Sequence, residues 1–168
     1  MADAELGHGL ASLARDGSRH YEAFNASLDN AAANVGTEHY PGGLLDLGVS
    51  FTPERWATTY PGVAYPTLPD EPADPVHENA TSTALWNDRR IRHRTVLKGV
   101  AEIRKALLRE TCDDTLRDEL AGLEGGLAKQ TLTRILAYFQ LQFGVLSLRD
   151  LRVLAAQANT MRFTSTAT

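Results

Sequence analysis

Arginine dominates the polar chemistry of this chain. The run Arg89-Arg90-Ile91-Arg92-His93-Arg94 is followed closely by Lys98, and Arg90, Arg94 and Lys98 fall at i, i+4 and i+8. On a helix that spacing lines three cations along one face, and Lys105 with Arg109 extends the stripe. Like charges so placed repel by about 0.3 kcal/mol per pair, so an anion beside them is favoured. The anion is an acidic segment of the chain itself, the Asp113–Glu124 cluster of another copy, or the phosphate of RNA or DNA. The candidate nucleic-acid contacts are therefore Arg89, Arg90, Arg92, Arg94 and Lys98. No aromatic lies inside the cluster to stack on a base, so the contact expected is to backbone and independent of sequence.

The other reactive side chains are dispersed. His8, His20, His39, His77 and His93 form no HExxH pair, so no metal and no cofactor is expected. His77-Glu78 is a candidate proton-transfer pair and, with His93, defines the alternative of a small helical enzyme or regulator. There is no GxSxG elbow, P-loop or GxGxxG, and Gly7-His8-Gly9 is not a phosphate cradle. The lone Cys112 sits beside Asp113 and Asp114, which raise a thiol pKa, so a nucleophile is not expected there. These residues point away from an enzyme.

The elements that must carry this chemistry follow from period and proline. All seven prolines fall between Pro41 and Pro75, so everything beyond is free to be helical. Val96, Val100, Ile103 and Leu107 follow a 4-3-4 seam, and Leu116, Leu120, Leu123 and Leu127 repeat it. The seam drifts on to Leu132, Leu136, Phe139 and Phe143. Helices over 83–111 and 115–143 are expected, each about 43 Å long, joined at Cys112–Asp114 as an antiparallel hairpin. Asp113, Asp114 or Thr115 would cap the second. Gly122, Gly125 and Gly126 inside it imply either close packing of another backbone or a break. A last amphipathic helix is expected over 147–161, carrying Leu151 and Leu154.

Upstream, Leu6, Leu10 and Leu13 predict a helix over 3–15. Tyr21, Phe24, Leu28, Ala31 and Val35 predict a second, stopped by Gly36. Pro66, Pro69, Pro72 and Pro75 then recur every third residue, the period of polyproline II. Pro41-Gly42 and Pro61-Gly62 read as type II turns. The organisation expected is N-terminal helices over 1–36, a proline-rich extended arm over 37–78, and a helical hairpin with its C-terminal helix over 79–168. The fold class is all-α. Residues 1–75 hold eleven acids and three arginines, a net of −8, and residues 76–168 hold ten acids and fourteen bases, a net of +4. Opposite signs favour docking of the arm on the body of its own chain or of a neighbour. No apolar stretch is long enough to cross a membrane and the N-terminus has no secretory leader pattern, so no membrane partner is expected.

Within the second seam, Arg134-Ile135-Leu136-Ala137-Tyr138-Phe139 resembles the Arg-x-Leu-Leu-Trp-Phe segment of hepadnavirus-type core (capsid) proteins, late in their second hairpin helix. Residues 83–165 span the likeness, with 147–162 where that family has its next helix. The resemblance implies a virion or cytoplasmic protein that pairs its hairpins into a four-helix spike. The chain carries no arginine-rich tail, so it does not extend to packaging RNA by such a tail. Helical rod-virus coat proteins are a second likeness, with Arg89–Arg94 then facing RNA. The expected function is a non-enzymatic, self-assembling structural protein, a coat or other virion component. Its partner is a second copy of itself, through Val96, Val100, Ile103, Leu107, Leu116, Leu120, Leu123, Leu127, Tyr138, Phe139, Leu151 and Leu154. The alternative is a nucleic-acid-binding or packaging protein using Arg89–Lys98.

Overall fold

The apolar period beginning at Tyr21 closes into α1 (Gly17–Asn34), which buries Phe24, Leu28, Ala31 and Ala32. The computed structural model describes residues 8–13, 17–35, 40–73, 79–144 and 155–156, and every regular element among them is helical. A 3-10 turn (Gly43–Leu45) packs on the end of α1, with Leu44 fully buried and its N–H donating to Val35 O at 3.0 Å. A short helix α2 (Pro53–Thr59) follows, capped by Thr52, with proline at its first position, where a missing N–H costs nothing.

The longest element is α3 (Ala80–Ala106). Asn79 accepts from the Ser82 N–H at 2.8 Å, and Ser82 Oγ accepts from the Asn79 N–H in return, a reciprocal cap that fixes the start. It runs on into a π turn (Leu107–Thr111), where the Cys112 N–H reaches Leu107 O, five residues back, at 3.3 Å. Asp113 caps α4 (Asp114–Ala121), accepting from the Leu116 N–H at 2.8 Å. After a 3-10 turn (Leu127–Lys129), Thr131 caps α5 (Leu132–Phe143).

One core joins these parts. Phe139 of α5 meets Phe24 of α1 edge-on at 5.6 Å, and the same core holds Val96, Ile103 and Ala106 of α3, Leu107 of the π turn, Leu116 and Leu120 of α4, and Ile135 and Leu136 of α5. Burying each large side chain contributes about 1.5–3 kcal/mol. Gly99 lets α3 approach closely, because a Cβ there would lie 2.5 Å from Leu44 Cδ1 and 2.8 Å from Val35 Cγ1.

Several expectations change. The second limb of the hairpin is two helices, not one. The chain leaves helical geometry after Ala121 because Gly125 and Gly126 adopt φ of +86° and +68°. The carbonyls freed by this break are satisfied. Arg104 of α3 donates from Nε to Gln130 O and from its terminal nitrogen to Leu127 O, both at 2.7 Å. The buried Gln130 side-chain amide donates to Glu124 O and Gly126 O.

Residues 8–13, expected to be helical, run without a helix along the end of α3. Their donors have distant partners: the His8 and Leu10 N–H groups bind the Glu110 carboxylate, Ala11 binds Ser27 Oγ, and Leu13 binds Thr111 O. The arm expected over 37–78 narrows. Leu44, Val49, Ser50, Phe51 and Thr52 are buried, and among the described residues of that range the longest stretch without helix or 3-10 turn is 60–73. Pro61-Gly62 makes the type II turn, Gly62 at φ +79° and Val63 N–H on Tyr60 O at 3.1 Å. Tyr40–Gly43 closes instead as a type I turn, since Gly42 sits at φ −91°, ψ 14°. The helix expected over 147–161, with Leu151 and Leu154, lies outside the described residues except for Ala155 and Ala156.

Candidate functional site

The candidate site is built on the first half of α3. From Ala80 to Thr95, about 24 Å of helix, no residue is buried; the core begins at Val96. Leu85, Ile91 and Leu97 are exposed at 56%, 49% and 54%. This half of the helix stands clear of the body, and residues 65–73 are its cover.

That cover is anchored at both ends. At its near end the Tyr65 hydroxyl donates to Gly48 O and Phe51 O, with Trp56 packed edge-on against its ring at 5.9 Å. Further along, His93 Nδ1 lies 2.9 Å from Pro69 O, which requires the proton on Nδ1, and Trp86 Nε1 donates to Ala73 O at 2.8 Å. The segment advances from Pro69 to Ala73 while its contacts retreat from His93 to Trp86, so it runs antiparallel to α3. The four steps from Pro69 to Ala73 match seven residues of helix, roughly 10 Å. That is far more than four helical residues could cover.

The arginines divide about this strip. Arg89 and Arg92 lie on one flank, in a cleft of 680 Å³ shared with Tyr40, Asp70, Trp86 and Leu85. Arg90 and Arg94 lie on the other, in a cleft of 340 Å³ with Glu71, Trp86 and Leu97. The Arg90 guanidinium sits over the Trp86 ring at 5.0 Å, and Arg92 pairs with Asp88 at 3.0 Å. Among the described residues Arg89, Arg90, Arg94 and Lys98 make no ion pair. The structure therefore places four of the five predicted cations on two flanks of the exposed half of α3, and Lys98 beyond them beside a separate cleft with Glu102 and Lys105.

No protein-family model, curated protein or solved structure matches this chain. Its reading rests on geometry.

The predicted oligomerisation seam has a different fate. Val96, Ile103, Leu107, Leu116, Leu120 and Phe139 are buried within the chain's own core, and Val100, Leu123, Leu127 and Tyr138 pack against it. The heptad spacing correctly marks an apolar face, but the intramolecular core occupies it, so those ten residues present no open seam to a second copy.

The histidines do not converge. His8 lies 3.1 Å from Glu102, His20 is exposed, and His93 holds the arm, while His39 and His77 with Glu78 fall outside the described residues. No group of three potential metal ligands occurs among the described residues. Burial pushes the Cys112 thiol up to about 12, with Arg117 opposing and Asp113 reinforcing, so it is not a thiolate at neutral pH.

Two features were missed in the sequence. Trp86 stands one helical turn before Arg90, so an aromatic does accompany the stripe; extending the i−4 series by one step would have found it. Arg55 bonds Asp29 through two guanidinium nitrogens at 2.6 and 3.0 Å, Ser50 Oγ joins Asp29 at 2.7 Å, and Thr52 bonds Gln140. This cluster fastens α2 to α1 and α5, and no spacing rule links such distant positions.

Proposed function

We propose that this chain is a non-enzymatic structural protein that self-associates into a larger assembly, of the coat or virion-component kind. The observation that carries the reading is the projecting half of α3. Leu85 and Ile91 within it and Leu97 just beyond it are six residues apart, so they point about 120° from one another around the helix. Exposed apolar groups on every side suit a helix surrounded by neighbours rather than one docked by a single face. A helix of this length is marginal in water without packing, so association would stabilise it.

The likeness of Arg134–Phe139 to hepadnavirus-type core proteins supports the same class. The contact surface differs from the four-helix spike that the likeness implies. Here the free surface is the projecting half of α3 with residues 61–73, because the hairpin seam is consumed inside the fold. A virion location belongs to this reading. Among the described residues no helix is long and apolar enough to cross a membrane.

Light scattering coupled to size exclusion tests it. The expected result is a mass above that of the 18.3 kDa chain, rising with concentration and falling towards the monomer in Leu85→Glu/Ile91→Glu. A monomer at every concentration and salt would overturn it.

A further inference from the structure

We infer that the edge of α3 bearing Trp86 and His93 is a receptor for an acidic proline-rich segment, and that in an assembly its occupant is residues 66–73 of a second copy. This names the contact in the self-association proposed above and rests on that reading.

The fit is displayed within one chain. Pro66, Pro69 and Pro72 are half-buried while every other residue from 61 to 73 is exposed, so the segment turns a proline edge inward at every third residue. Trp86 and His93, also half-buried, are seven residues apart, two turns of helix and within about 20° of one another. Their Nε1 and Nδ1 atoms meet Ala73 O and Pro69 O at 2.8 and 2.9 Å. Four residues of polyproline II advance about 12 Å and seven of α-helix about 10 Å, so donors and acceptors stay in step. Such a backbone makes no internal hydrogen bonds, which leaves its carbonyls for an outside donor. Between the two bonded carbonyls stand Asp70, in the cleft with Arg89 and Arg92, and Glu71, which also lines the cleft with Arg90 and Arg94. Spacing, donors and charge together define the ligand as two prolines, three residues apart, enclosing two carboxylates.

A second copy is the occupant because every chain carries both ligand and receptor, and the resident contact is slight. No residue from 61 to 73 is buried. Among the described residues, Pro69 O and Ala73 O are the only main-chain groups of 64–73 that are hydrogen-bonded. An exchanged segment forms the same bonds on an identical helix, so none is forfeited. The reach is sufficient. Four steps from the Tyr65 anchor to Pro69 span about 12 Å as polyproline II. Six steps from Ala73 to the Asn79 cap span up to about 20 Å. Packed helices lie about 8–10 Å apart, so exchange sets two projecting halves of α3 side by side, each segment's carboxylates beside the neighbour's cations.

Two variants of the full chain separate receptor from ligand. Trp86→Ala/His93→Ala removes both donors and keeps the segment. Pro69→Gly/Asp70→Asn/Glu71→Gln/Pro72→Gly removes the ligand and keeps the donors. Neither touches a buried residue, and far-UV circular dichroism should match the parent. Where the parent associates, light scattering should give the 18.3 kDa monomer for each variant alone. Their equimolar mixture regains one contact per pair and should move towards the mass of two chains. A fluorescein-labelled peptide of residues 65–73 should bind the ligand-deficient variant about tenfold more tightly than the parent, whose own segment competes at a roughly millimolar effective concentration. Adding Trp86→Ala/His93→Ala to that variant should weaken the peptide about tenfold or more. A peptide of the same composition with the prolines moved off their spacing should bind at least about fivefold more weakly.

A parent that associates while both variants associate equally well, or a mixture that stays monomeric, would overturn the exchange and leave self-association standing. So would a peptide indifferent to the resident segment, to Trp86 and His93, or to proline spacing. Displacement by U20 RNA as readily as by unlabelled peptide would reassign the edge to a polyanion and overturn it too. A parent monomeric at every concentration would overturn both readings.

Discussion

Residues 80–95 and 96–111 belong to one helical run but live in different surroundings. The second half buries Val96, Gly99, Ile103, Ala106, Leu107 and Thr111, against α1, the Gly43–Leu45 turn and α5. The first half buries nothing, and is held by its reciprocal cap, the Asp88–Arg92 pair and the tethers to Pro69 and Ala73. Helical propensity does not distinguish them; tertiary packing does. Within this helical run, burial begins at Val96, and the residues before it are exposed or half-exposed.

The largest effect that would break this comparison comes from the core. Phe139→Ala removes a ring packed against Phe24 and Phe143 and should cost about 3–5 kcal/mol in urea unfolding. Leu85→Ala with Ile91→Ala should cost only about 1 kcal/mol in the monomer, since about half of each residue is already in water. Equal losses from the two would show that the projecting half is packed in solution.

Next comes Arg104, on the core half. Its two bonds to Leu127 O and Gln130 O hold the break between α4 and α5, and Arg104→Met leaves both carbonyls short of a donor. The expected loss is about 2–3 kcal/mol, read as a lower urea midpoint. Amide exchange should quicken first at residues 122–131. A uniform quickening across α3 instead would place the weakness in the helix and not in the break.

How much of this was legible depended on whether a signal was local. The α1 period and the helix from the early 80s to Thr111 were readable because apolar residues recur along one face over many turns. The period says that a face is buried and not by what, which is why Val96, Ile103 and Leu107 read as an oligomer seam and are core. Leu10 and Leu13 have helical spacing, but Glu110 and Thr111, about a hundred residues away, take their backbone bonds. The pair Thr52-Pro53 is a helix start, concealed within a proline belt that reads as an arm. Of the site, the cations were found and their partition into two flanks was not. The partition depends on where the proline-rich segment lies, a tertiary fact.

A smaller change confined to the projecting half is Asn79→Ala. It removes the acceptor for the Ser82 N–H and should cost about 1 kcal/mol of local helix stability. Hydrogen exchange should show faster amides over the first turns of α3, with 96–106 unchanged. Protection lost along the whole helix would mean that the two halves open as one unit, and the division at Val96 would be structural but not energetic.

The smallest effect lies at the far end of the core half, at Glu110. Desolvation alone would raise its carboxyl pKa, but bonds from the Leu10 and His8 N–H groups, together with Arg109, outweigh it and hold the carboxyl below the ordinary glutamate range. A carboxylate whose folded pKa is depressed contributes stability that is fully present above the unfolded value. That contribution is lost as pH falls through the folded one. Urea midpoints of the parent should therefore exceed those of Glu110→Gln at pH 7, and the gap should close as pH drops below about 4.5. Because the bonds involved tie residues 8–10 to the core half, the closing gap should come with faster exchange at His8–Leu13 and no change over 80–95. A gap that stays constant across that range would mean that the N–H bonds survive protonation, and that the segment is held by Leu10 and Leu13 packing alone.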